Sequence, residues 1–208
     1  MRQAFAAVPV TTDPAHLAER LGLFVIIVLG EVIVGAVGGM AELDPLSRDE
    51  VVIGLLGMIV AIGLWWIYFD LVSHREPISR RTQVWLNLHL PLVVGIAAGG
   101  AAVLSTVEHA HTPLPDGTRW LLGGSLAVAM ISVVALTETL EVRRTYRDVY
   151  TVAEVALVAS SILALGVGLT DWGAKGSLEA TVVLLLAPVV AGLVVWLKHT
   201  EPDDAVVR

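Results

Sequence analysis

Glu31 is the residue most able to do chemistry, because it interrupts an otherwise apolar run, Leu21–Ala41. An acid near the centre of a lipid-embedded helix costs on the order of 2.5–3.5 kcal/mol on the insertion scale. The surrounding leucines, isoleucines and valines offset that cost. Acids at such depth usually face a bundle interior or a water-filled cavity, with a partner. Glu31 is therefore a candidate proton or cation site, or a substrate contact. The structural alternative is a protonated acid that hydrogen-bonds a neighbouring helix. Ser132, Ser160 and Ser161 lie at comparable depth in other apolar runs and are candidate partners. Asn87 and His89 lie early in another run, Thr82–Val107, and Pro91 follows. A proline there leaves the carbonyl of Asn87 without its helical donor, next to an imidazole. Broken helices of that kind line transporter sites. The alternative is an ordinary proline kink with an interfacial histidine.

Ionisable groups also gather at one set of run ends: Glu19, Arg20, Asp70, Glu138, Glu141 and Glu154. They read as a solvated interface or as the mouth of a vestibule. Glu108, His109 and His111 are too few and too loosely spaced for a metal site. The chain has no cysteine, which removes thiolate ligands and a thiol nucleophile. No phosphate-cradling loop, serine elbow or HExxH stands in the sequence. No cofactor, no metal and no enzymatic reaction are expected.

The elements that must position these residues are membrane helices. Of 208 residues, 56% are hydrophobic and only 16% charged, with a mean hydropathy of +0.78. A soluble domain of this size has too much surface to hide that apolar content. Six runs are long enough to span: Leu21–Ala41, Val51–Phe69, Thr82–Val107, Trp120–Thr137, Val155–Thr170 and Ala180–Leu197. They do not alternate as barrel strands would, so the fold class is an all-α integral membrane bundle of six transmembrane helices. The expected helices cover about 17–40, 50–71, 83–107, 119–140, 151–170 and 177–198, in one domain spanning 1–208. Short Pro-, Gly- and Asp-containing turns join them, and no linker separates two domains.

Orientation follows from the cations. Ten of the 13 Lys and Arg residues fall on one side, from Arg2 and Arg20 through Arg75, Arg80, Arg81, Arg143, Arg144 and Arg147 to Lys198 and Arg208. Arg48, Arg119 and Lys175 fall on the other. The positive-inside rule makes the richer side cytoplasmic, with both termini inside. Reporter fusions after Arg81 and Arg147 should then read as cytoplasmic, and fusions near Asp116 as external; the reverse pattern would overturn the topology. The six tryptophans lie near expected helix ends, as an interfacial belt. A net charge of −7 argues against a nucleic-acid partner. Met1–Thr12 carries no apolar core of signal-peptide length.

The run from His16 to Glu31 reads H-x-x-E-R-x-G-L-F-x-I-I-x-L-G-E. It resembles the signature of the bacterial low temperature requirement A proteins. Trp65-Trp66-Ile67-Tyr68-Phe69-Asp70 and His89-Leu90-Pro91-Leu92, with Gly95, fit the same family in order. The resemblance implies a multi-pass protein of the bacterial plasma membrane, linked to growth in the cold, with no defined reaction. It also implies a match to the second half of the family's usual length, as a fragment or a shortened product. Val32 departs from the small polar residue common after the glutamate, which removes a hydroxyl beside Glu31. Proton- or ion-coupled transport and a non-transporting scaffold or sensor are the two functions this supports. The expected partners are the lipid bilayer and either a missing N-terminal half or a second copy, with Gly95 and Gly99 as the small-residue dimer face.

Overall fold

The computed structural model describes residues 14–41 and 45–200, with side chains described for 15–41 and 45–194. Arg2 and Arg208 lie outside the described residues, and so do the side chains of Trp196 and Lys198. Seven α-helices occur among the described residues: α1 (Pro14–Ala41), α2 (Arg48–Leu71), α3 (Thr82–Glu108), α4 (Asp116–Thr137), the one-turn α5 (Val142–Thr145), α6 (Arg147–Val167) and α7 (Gly173–Thr200). Six of them, all but α5, are long and apolar enough to cross a membrane. No named strand occurs among the described residues.

Local chemistry sets several boundaries. The Ser47 hydroxyl accepts the Glu50 N–H, and the Glu50 carboxylate accepts the Ser47 N–H at 2.5 Å. This capping box satisfies two N–H groups at the start of α2. Pro115 precedes α4, and Asp116 and Arg119 pair in its first turn. At the far end of α4 the Thr139 hydroxyl turns back to the Leu136 carbonyl. The helix stops at Thr137, short of the expected 140. α3 runs unbroken through Pro91 and α7 through Pro188.

The six long helices form a closed ring in which each packs chiefly on two neighbours. The order is α1, α3, α4, α6, α7, α2 and back to α1. The arrangement is three antiparallel hairpins, α1–α2, α3–α4 and α6–α7, set side by side. Leu64, Ile96, Leu126, Met130, Leu157 and Leu185 are buried in the interior. Glycines let the backbones meet. A Cβ on Gly35 of α1 would strike the Gly100 carbonyl of α3, and one on Gly123 of α4 would strike the Ala164 carbonyl of α6. Gly95 and Gly99 of α3 face Ser125 and Ala129 of α4. This corrects the expected dimer face: that small-residue pair is consumed inside the chain.

Hydrogen bonds identify the two ends. At one, the Ser47 hydroxyl meets His111 at 3.0 Å, and Arg119 pairs with Asp171 and donates to the Thr170 carbonyl at 2.7 Å. At the other, the Ile78 N–H donates to the Thr139 carbonyl at 2.8 Å and the Glu141 N–H to the Glu76 carbonyl. His16 and Glu19 of α1 line a crevice with His74 and Glu76 at this second end. The second end carries Arg20, Arg75, Arg80, Arg81, Arg143, Arg144 and Arg147.

Candidate functional site

Glu31 is exposed on the outer surface of the ring. It lies ten residues before the end of α1, about 15 Å along the axis at 1.5 Å per residue. Phe24, Ile27 and Val34 share its face, and all are exposed. Among the described residues the Glu31 side chain has no hydrogen-bond or ion-pair partner. Two of the three candidate serines are turned to their own helices: Ser132 donates to the Val128 carbonyl and Ser161 to the Leu157 carbonyl, each at about one turn's separation, while Ser160 is buried. Both are buried inside the ring, on α4 and α6. The expectation that Glu31 faces the bundle interior is thus corrected. Its backbone carbonyl sits where α1 crosses Gly100 of α3, which turns the side chain outward.

His89 is buried at 2% exposure, between α2 and α3. Its Nδ1 lies 2.9 Å from the Trp85 carbonyl, and its Nε2 lies 3.2 Å from the Tyr68 hydroxyl. A carbonyl only accepts, so Nδ1 carries the proton and Nε2 accepts the Tyr68 O–H. Trp85 and Tyr68 meet the imidazole edge to face. The ring is a satisfied core histidine with both nitrogens used. Asn87 points the other way, exposed, and its Oδ1 accepts from Gln83. The expected pairing of an open carbonyl with an available imidazole is therefore absent. Trp85, at 1% exposure, is a core residue rather than part of an interfacial belt.

Asp70 is exposed at the end of α2, near Gly192 of α7. Arg75 donates to the Asp70 carbonyl at 2.8 Å and lies over the Tyr150 ring. Glu19 pairs with His16 at 3.9 Å, and Arg20 is exposed. The six candidates do not converge: Glu31 stands alone on the outer face, and the rest lie towards the Arg-rich end on separate faces.

Two polar clusters carry more contacts than any of these. Glu154 of α6 is buried and accepts the Thr137 hydroxyl at 2.8 Å. Arg143 reaches both its oxygens, at 2.7 and 2.8 Å, and Glu138 at 2.6 Å. The hydrogen bond to Glu154 holds the Arg143 guanidinium above its ordinary range. At the opposite end Glu50, also buried, holds Ser47 and lies 3.4 Å from His111. The Ser47-x-x-Glu50 spacing is a capping-box signature readable in the sequence. The partnership of Tyr68 with His89 spans 21 residues and left no local signal.

The interior of the ring is tightly filled. The space lined by Leu64, Gly95, Gly99, Leu122, Ser125 and Thr181 amounts to about 10 Å³. That is at the lower limit for a single water. No group of three or more metal-ligating side chains occurs among the described residues.

A closed ring of six apolar, membrane-length helices defines a multi-pass membrane protein. The chain belongs to the family described as bacterial low temperature requirement A protein (LtrA), whose model matches residues 1–191. It is 27% identical over 204 residues to an uncharacterized protein of Rhizobium meliloti (strain 1021), RA0937. That match covers 93% of this chain and 47% of the relative, so the chain spans about half the relative's length. No solved structure matches the chain.

Proposed function

We propose that this protein is a non-enzymatic, proton-coupled component of the bacterial plasma membrane that supports growth in the cold. The observation that carries the reading is Glu31, an unpartnered carboxyl far from either end of a membrane-length helix. In hydrocarbon an ionised carboxylate is far more costly than a neutral one, and acids at such depth mark proton and ion pathways. Such a group can couple protons to movement of a solute or to a change of helix packing. The cation distribution supports both termini in the cytoplasm, which puts the Glu154–Arg143 cluster on the cytoplasmic side.

Proteoliposomes loaded with a pH-sensitive dye test this reading. The wild-type protein should dissipate an imposed pH gradient. Glu31→Gln, whose amide still donates and accepts, should insert normally and lose the flux. Equal flux in both proteins, or none in either, would refute proton coupling through Glu31. A second reading, a scaffold or sensor without transport, draws support from the tight interior and from the satisfied His89. Under it neither protein conducts, yet Glu31→Ala still impairs growth in the cold.

A further inference from the structure

We infer that the Glu31 face of α1 is the interface with a second copy of this chain, paired in parallel about a two-fold axis along the membrane normal. Phe24, Ile27, Glu31, Val34 and Gly38 lie along one line of the helix, as residues three and four apart do, and Glu31 is the polar residue on that line. Phe24, Ile27, Glu31 and Val34 are exposed, and a Cβ built on Gly38 or on nearby Gly30 would meet nothing within 4 Å. Both glycines therefore leave room for another backbone to approach. The opposite side of α1 is already taken, with Gly35 and Gly39 against α3.

Glu31 selects the occupant. A neutral carboxyl has one donor and one acceptor. Two of them at the same depth close each other with two hydrogen bonds, and a parallel two-fold brings residue 31 opposite residue 31. Lipid tails offer neither donor nor acceptor. The inference goes beyond the proton-coupled reading and does not depend on it, since pairing requires a neutral Glu31 and no flux.

The chain contains no cysteine, so single cysteines report without a background to remove. Ile27 of α1 and Ile162 of α6 are matched controls, at 69% and 65% exposure. In proteoliposomes treated with copper phenanthroline, Ile27→Cys should form disulfide-linked dimers and Ile162→Cys should remain single. Glu31→Ala in the Ile27→Cys background should weaken association about tenfold, and Glu31→Gln should stay within about twofold of the parent. Equal cross-linking at both sites would overturn the proposal, as would none at Ile27. It would also fail if Glu31→Ala dimerised as well as the parent, or if Ile27 cross-linked to a different polypeptide in native membranes. Absent proton flux with these cross-links intact would remove the transport reading alone.

Discussion

Gly123→Ala should destabilise the bundle by about 2 kcal/mol or more, although it adds a single methyl group. The added carbon would overlap the Ala164 carbonyl on α6, and a backbone atom cannot rotate out of the way. Val167 closes the other side, with its Cβ 3.5 Å from the new methyl. The α4–α6 crossing must therefore open, and the contacts along it weaken together. Gly124 supplies the control, because a Cβ there would meet nothing within 4 Å. Gly124→Ala should be neutral or slightly stabilising, since alanine is the better helix former by up to about 1 kcal/mol. Thermal unfolding in detergent, followed by retention in the monodisperse fraction, separates the two. Matching curves for both variants would show that the crossing is looser than this packing requires.

Arg143→Ala should cost a comparable amount, about 2–3 kcal/mol, for an electrostatic reason. Glu154 has 10% of its side chain exposed and keeps two oxygens supplied by Arg143 and Thr137. Without the guanidinium only the Thr137 hydroxyl is left, and the buried carboxylate must find water or a proton. The estimate is set below the cost of breaking a fully buried pair because Arg143 is 28% exposed and solvent screens part of its charge. Glu154→Gln in the same background should recover much of the loss, as the charge that lacked a partner is gone. Arg144→Ala, an exposed neighbour, should change stability by no more than about 0.5 kcal/mol. Steric-trap or denaturation measurements on the three variants check the order.

Helix number was readable because each span is a long apolar run bounded by turn residues, and lipid leaves the backbone few choices. The direction in which each helix faces was not. In α1 the stretch Leu23-Phe24-Val25-Ile26-Ile27-Val28-Leu29 is apolar all the way round. Nothing in it separates a face that meets lipid from one that meets protein, so the expectation for Glu31 came from general rules about buried acids and pointed inward. What turns it outward is the α1–α3 contact at Gly35, Gly39 and Gly100, which joins residues more than 60 positions apart. The same limit explains Gly95 and Gly99. Their spacing marks a close helix contact, but only the fold shows that α4 supplies it. For His89 the sequence suggested an open imidazole beside a proline kink. Tyr68 closes that imidazole from a different helix, one turn from the end of α2.

The state of Glu31 itself decides the account, and a hydrophobic carbodiimide reads it directly. Such reagents partition into the apolar phase and react with protonated carboxyls. The protein should be diluted in detergent until single chains prevail, so that the α1 face is uncovered, and the adducts located by mass spectrometry. A principal adduct on Glu31 is expected, lost in Glu31→Gln, with Glu50 and Glu154 reacting weakly because their oxygens are held in hydrogen bonds. An unmodified Glu31 alongside labelled acids elsewhere would contradict this, because the carboxyl would then be turned away from the lipid-facing surface.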